Sequence, residues 1–313
     1  DEERERLELA QHRSFFDKRT LRILIPTAGG PNAEVAMRIA APLATEADAT
    51  VTALFISDAS PTQSQRFFSR FWTQPQQKTQ APFQPLIQLA QEYGIHFDTK
   101  IVSAEGKPAG DIILQEVQRG YDLLFLGASG YRHPLGGVHI DEVLAAAPSH
   151  VAIIKARGEK LRYQHLLVPT NGEGEVQLAI EFAAMYAEDT GARVTLFHVI
   201  SPPEQPRRFF RKRYTPLDET ALHLMADTLL WELRPRKAKP ELRLEARVTE
   251  EERPEVALLR AMHEGDYDLL ILSTPLRSVR SSTQLDLLTE QIVNDAPCTV
   301  VVLTPKRVHP EFP

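Results

Sequence analysis

Chemistry in this chain would begin with glycine. The stretch GASGYRHPLGGVHIDEV, residues 127–143, places Gly127, Gly130, Gly136 and Gly137 between an apolar run and a helical pattern. Glycine lets a backbone come close to a ligand, and N–H groups at a helix start can hold a phosphate. Ser129 adds a hydroxyl there. A second glycine-rich turn, PTAGGPNAE, covers residues 26–34, and a third, PTNGEGE, covers 169–175. In the third, the amide of Asn171 could meet an adenine edge, although asparagine serves more often as a turn or cap residue. Catalytic patterns are weaker. G-x-S-x-G and G-x-x-x-x-G-K-[ST] do not occur, and residues 28–33 carry glycines but neither the Ser nor the Asp of a pyrophosphatase-type loop. His133 and His139 have no cysteine nearby and read as loop histidines rather than metal ligands. The single cysteine, Cys298, opens an apolar run and reads as a packed thiol; it allows no disulfide within the chain. No general base is placed, so the expected function is not catalysis.

The elements that must position these loops repeat. ILIPT at Ile23–Thr27 returns as LLVPT at Leu166–Thr170, GYDLLFLGAS at Gly120–Ser129 as DYDLLILSTP at Asp266–Pro275, and AAPSHVAII at Ala146–Ile154 as DAPCTVVVL at Asp295–Leu303. Order and spacing agree, so the chain reads as a charged N-terminal linker or helix (1–20) followed by two copies of one domain (21–158 and 159–313). Apolar runs predict strands at Leu21–Pro26, Thr50–Ile56, Phe97–Val102, Asp122–Leu126 and Val151–Ile154. In the second copy they predict strands at His165–Val168, Ala192–Val199, Leu242–Val248, Tyr267–Leu272 and Thr299–Leu303. Helical spacing fills the gaps, as in Asn32–Glu46, and Pro108 and Pro254 suit a first helical turn. Alternating β and α units imply a mostly parallel sheet covered on both faces, with ligands beyond the carboxyl ends of the strands.

The balance of 36 Lys+Arg against 42 Asp+Glu gives a net charge of −6, which argues against a nucleic-acid partner. No apolar run approaches the roughly 18–20 residues of a membrane span. The N-terminal DEERERLELAQHRSFFDKR lacks the apolar stretch of a signal peptide and begins with Asp1, as a piece of a longer protein would. Two connections mix aromatic and basic residues. Residues 64–80 hold Phe67, Phe68, Phe71 and Trp72; residues 206–219 hold Arg207, Arg208, Phe209, Phe210, Arg211, Lys212 and Arg213. That mixture suits a membrane surface or an anionic partner, and equally a solvated helix start whose aromatics pack inward.

On these motifs the chain resembles a tandem universal stress protein. The resemblance rests on Ile25-Pro26-Thr27, Gly106-Lys107-Pro108, Asp122–Gly127, Gly127–Gly130 and Ala147–Ile154, and in the second copy on Val168-Pro169-Thr170, Asp268–Leu272 and Ala296–Leu303. It implies two doubly wound, Rossmann-like α/β domains of strand order 3-2-1-4-5, paired through their last strands in a pseudo-twofold arrangement. It also implies an adenine nucleotide (ATP, AMP or a cyclic dinucleotide, with Mg²⁺ accompanying it) in the first copy. The residues carried over are Pro26, Thr27, Ala28, Ile56, Leu126, Gly127, Ser129, Gly130, Gly137 and Val138. In that site Ile56 walls the base, Thr27 and its neighbours meet the adenine edge, and the glycines with Ser129 hold phosphate. The chain departs from the family pattern at Ala28 and Asn171, where nucleotide-binding members carry Asp, and at Val138, where they carry Ser or Thr. The second copy has Ser273, Leu276 and Asp286 at the glycine positions and Leu287 next, so it is expected to be degenerate. Family domains also occur as cytoplasmic tails of transporters and channels. The expectation is therefore a cytoplasmic regulatory unit, free or attached to an inner-membrane protein, with a homodimer as a further assembly. The alternative is a ligand-free scaffold for protein or membrane-surface contacts.

Overall fold

The structure, a computed structural model, describes residues 20–47, 49–57, 81–128, 140–158, 160–170, 176–200, 224, 242–251, 253–273, 277–279, 282–284 and 287–306. The first copy runs β1 (Arg22–Pro26), α1 (Pro31–Ala47), β2 (Thr50–Ser57), a 3-10 turn (Ala81–Phe83), α2 (Gln84–Tyr93), β3 (His96–Ser103), α3 (Ala109–Val117), β4 (Leu123–Gly127), α4 (Ile140–Ala146) and β5 (His150–Lys155). The second runs β6 (His165–Thr170), α5 (Val176–Thr190), β7 (Arg193–Ile200), β8 (Arg243–Glu250), α6 (Pro254–Glu264), β9 (Leu269–Ser273), β10 (Arg277–Val279), β11 (Ser282–Gln284), α7 (Leu287–Asp295) and β12 (Thr299–Thr304). The short hairpin β10–β11 has no counterpart among the expected strands.

Ten strands form one sheet in the order β3-β2-β1-β4-β5-β12-β9-β6-β7-β8. Each copy thus has the order 3-2-1-4-5, and the copies meet through their last strands. All pairings in this sheet are parallel except the central one, where β12 runs antiparallel to β5 with Val301 opposite Ile154 and Val302 opposite Ile153. A pseudo-twofold axis requires that reversal. Central strands buried on both faces read as unbroken apolar runs, which is why Ile23, Leu24 and Ile25 are all buried.

Both hydrophobic layers cross the seam. On one face, Ile23, Met37 and Phe125 of the first copy share a cluster with Leu166, Phe182 and Tyr186 of the second, and α1 packs on α5. On the other, Leu124, Val143 and Ile153 join Leu270, Ile292 and Val302. Alanines at 36, 40, 41 and 44 in α1 and at 179, 183, 184 and 187 in α5 are all buried. Small side chains let the two helix backbones approach closely.

The seam ends are closed by matching side chains. Thr299 opens β12, and its hydroxyl accepts the Arg157 N–H at 3.1 Å. His150 opens β5, and its Nδ1 accepts the Lys306 N–H at 3.1 Å. Each donor lies just past the end of the opposing strand. Because a backbone N–H donates to it, Nδ1 of His150 carries no proton. Tyr163, between the copies, is buried; its hydroxyl donates to Thr299 at 3.2 Å and its N–H to the Tyr186 hydroxyl at 3.1 Å.

The repeated Asp of the YDLL segments has a structural task. Asp122 accepts the N–H of Arg22 at the start of β1, and Asp268 accepts the N–H groups of Gln164 and His165 at the start of β6. Parallel neighbours leave such first N–H groups without a ladder partner, and the carboxylate supplies one. Cys298 is packed as its place in the sequence suggests. It is buried, with Sγ 3.8 Å from Sδ of Met262, and burial raises its thiol pKa to about 11.

Candidate functional site

The strand order reverses between β1 and β4, and there the sheet opens. The two strands pair only at Ile23–Leu123 and Leu24–Leu124. Both continue toward their carboxyl ends, to Pro26 and Gly127, with no further pairing. Each is held instead by its outer neighbour: the Thr27 N–H donates to Leu54 O at 2.8 Å, and the Ala128 N–H to Ile154 O at 2.6 Å. A crevice results, bounded by Pro26, Thr27 and Ala28 on one side and Leu126 and Gly127 on the other. This is where open α/β sheets bind ligands.

The structure gives several of these residues specific work. Thr27 is only 7% exposed, and its Oγ1 accepts the Gly29 N–H at 3.0 Å. One of its two acceptor sites is thus committed to the turn. Gly29 has φ +84°, and a Cβ on it would sit 3.4 Å from Cα of Pro82, so glycine suits both the turn and the close approach of the 3-10 turn. Ala28 is exposed at the mouth of the crevice. Ile56, at the end of β2, is half-buried and packs against the core on the α3 side. Leu126 is buried in that same core. Ser129, Gly130, Gly137 and Val138 lie outside the described residues, as do Asn171, His133, His139 and the whole Arg207–Arg213 cluster.

Gly127 has a packing reason for being glycine. A Cβ there would lie 2.5 Å from Cβ of Asn32, in the first turn of α1. Asn32 in turn accepts the Ala156 N–H through Oδ1 at 3.2 Å. One side chain therefore ties the start of α1 to the ends of β4 and β5. We expect Gly127→Ala to cost about 1–3 kcal/mol, the usual penalty of overpacking, and to cost almost nothing in an Asn32→Gly background. Urea unfolding of the four variants measures this; equal costs in both backgrounds would show that the contact is not the cause.

In the second copy the same crevice opens between β6 and β9, which pair only at Leu166–Leu269 and Leu167–Leu270. Its residues differ. His198 is buried and donates from Nδ1 to Thr170 O at 2.8 Å. Ser273 stands where Gly127 does, with a buried Oγ that has no hydrogen-bond partner among the described residues. Where the first copy carries its glycine-rich loop, the second carries the antiparallel hairpin β10–β11, which lies against α4 of the first copy.

One charged cluster was not singled out from the sequence. Glu116 in α3 is only 4% exposed, and its carboxylate meets Lys100 Nζ at 2.6 Å, Arg119 Nε at 3.4 Å and the Tyr121 hydroxyl at 3.2 Å. The available signal was a single charge within the apolar stripe of Ile112, Ile113 and Val117. Among the described residues, no group of three or more His, Cys, Asp or Glu side chains is placed to hold a metal ion, and no helix is long and apolar enough to cross a membrane.

The fold defines a tandem pair of doubly wound α/β domains, each with a switch point where its inner strands part. The chain belongs to the universal stress protein family, whose sequence profile matches it twice, over residues 20–155 and 162–304. Among solved structures it is similar to a universal stress protein from Archaeoglobus fulgidus DSM 4304, with 16% identity and a TM-score of 0.55, over 90% of this chain and 97% of that one. It is similar to the cytoplasmic domain of a prokaryotic cation chloride cotransporter, with 13% identity and a TM-score of 0.55, over 92% of this chain and 96% of that one. A universal stress protein in complex with cAMP matches 42% of this chain and 93% of its own length, at 17% identity and a TM-score of 0.31. No curated protein matches. At these identities the likeness is one of fold.

Proposed function

We propose that this chain is a non-catalytic regulatory domain pair whose first copy takes an adenine nucleotide in the β1–β4 crevice, while the second copy takes none. The observation that carries this reading is the parting of β1 and β4 beyond Leu24 and Leu124, with Ala28 exposed at the mouth. In the second copy the corresponding loop is a hairpin, with Ser273 in place of Gly127. In the first, Ile56 and Pro26 would wall the base. The adenine amino edge would meet backbone groups around Ala28, because Ala28 lacks a carboxylate and Thr27 Oγ1 already accepts the Gly29 N–H. Phosphates, with Mg²⁺ accompanying them, would meet the glycine-rich stretch from Gly127 through Ser129 and Gly130 to Gly137.

A bound nucleotide changes output only through a difference in affinity between two conformations. The attached partner in this reading is a membrane transporter or channel, with the chain on its cytoplasmic side. A cotransporter's cytoplasmic domain shares the fold, and the basic, aromatic Arg207–Arg213 stretch has the composition of a membrane-facing surface. Thermal unfolding with ATP, AMP and cyclic dinucleotides, each with Mg²⁺, tests the site. A nucleotide at about 100 times its dissociation constant adds about 2.7 kcal/mol to the native state. Ala28→Trp should abolish that gain while leaving the ligand-free melting temperature unchanged. If no nucleotide shifts the parent protein, the ligand-free scaffold reading takes its place.

A further inference from the structure

We propose that the first domain carries a second ligand site at the opposite, amino-terminal end of its sheet, a polar groove for a small hydroxyl-bearing anion of sugar-phosphate size. The groove has a volume of about 580 Å³, within the range of about 300–1,000 Å³ typical of small-molecule sites. It exists because α3 is short. Nine residues of helix cover about 13 Å, and α3 ends at Val117 without reaching the first residues of β2 and β3. There the strands turn polar on the α3 side only: Thr50 and Thr52 line the groove, while Val51 and Ala53 are buried in the core on the opposite face.

Three cations rim the groove, Arg22, Lys100 and Arg119, against two carboxylates, Asp98 and Glu116, so the local balance is positive on a chain whose net charge is −6. Glu116 does not repel an anion from within, because its oxygens already hold Lys100, Arg119 and Tyr121. It fixes two cations in place instead. Lys100 has three donors and spends one on Glu116; Arg119 spends Nε and keeps both terminal nitrogens. Arg22 is held by the Arg119 and Gly120 carbonyls at 2.8 and 3.3 Å, with its guanidinium 4.7 Å from the centre of the Tyr121 ring.

The second copy shows that the fold does not need this arrangement. Aligned on the YDLL segments, Met262 stands in place of Glu116 and packs against Cys298. His165 stands in place of Arg22 and lies with its ring 4.1 Å from that of Tyr267. Arg193 stands in place of Thr50 and pairs with Glu245 at 3.7 Å. Glu116 is buried while its partners Lys100 and Arg119 stay partly exposed, and an apolar residue fills the same place in the second copy, so the charged version in the first copy has a use other than holding α3 down. The ligand class follows from the lining. Cations select an anionic group, and the hydroxyls of Thr50 and Thr52 select hydroxyls. Tyr121 has Arg22 stacked on it, which leaves little room for a purine to stack there.

Calorimetric titration with glucose 6-phosphate, ribose 5-phosphate and gluconate tests the site, with glucose and inorganic phosphate as partial probes. At least one of the three anions should bind saturably and about tenfold more tightly than either partial probe. Thr50→Arg, which installs the second copy's residue, should abolish binding without changing the unfolding midpoint; Arg119→Gln should weaken it about tenfold. Neither variant should alter the response to adenine nucleotides, which separates this site from the β1–β4 crevice. The proposal is overturned if none of the three binds up to about 10 mM, if Thr50→Arg leaves binding intact, or if inorganic phosphate binds as tightly as the sugar anions.

Discussion

Phe182→Ala is expected to destabilise both copies together, by about 3–5 kcal/mol, the usual cost of truncating a buried aromatic side chain. Phe182 belongs to the second copy, in α5, and is fully buried. Its ring lies 6.3 Å from that of Phe125, in β4 of the first copy. The cavity therefore opens in a cluster that both copies line, beside the junction of α1 with α5. Hydrogen exchange followed in urea is the measurement. Peptides from β1 and from β6 should lose protection at the same denaturant concentration, earlier than in the parent. Loss confined to β6 and β7 would mean that the copies fold as separate units and that the shared core is a contact without cooperativity.

Asp268→Ala should cost about 2–4 kcal/mol, whereas Asp122→Ala, at the matching residue of the first copy, should cost about 1 kcal/mol. The two residues look the same in the repeat, but their surroundings differ. Asp268 is 7% exposed; it accepts two backbone N–H groups, from Gln164 and His165 at 2.9 and 3.0 Å, and faces Lys160 Nζ at 3.4 Å. Asp122 is half-buried and accepts the Arg22 N–H at 3.0 Å. Removing Asp268 takes the acceptor from two part-buried N–H groups at the entrance of a buried strand, and a donor left unmet away from water costs more than a lost bond. Asp268→Asn keeps an acceptor and should fall between. Denaturant unfolding of the three variants gives the order, and an Asp122→Ala cost equal to or above that of Asp268→Ala would refute it.

Much of the architecture was legible in the residues because it rests on local, repeated signals. Apolar runs such as Ile23–Ile25 and Val300–Leu303 can only be satisfied inside a sheet, and the structure buries all of them. The Gly-Pro-Asn start of α1 and the Pro-led start of α6 lie where their turn chemistry suggests. The β10–β11 hairpin was not legible. Arg277–Val279 and Ser282–Gln284 show no apolar alternation, the signal by which the other strands were read.

The site divides along the same line. Types and order of residues determined that two copies of one α/β unit exist and that the stretches after strands one and four differ in composition between the copies. Such facts are written in periodicity and in repeated words, which do not depend on distant neighbours. Only the tertiary structure decided what individual residues do there. Gly127 is glycine because Asn32, far away in sequence, leaves no room for a Cβ. Thr27 faces its own turn rather than open solvent. Lys100, Glu116, Arg119 and Arg22 become one polar groove because parallel pairing brings the starts of β1, β2 and β3 side by side and α3 stops short of them. Contacts between residues remote in sequence are set by strand register and helix packing, and those are properties of the folded chain as a whole.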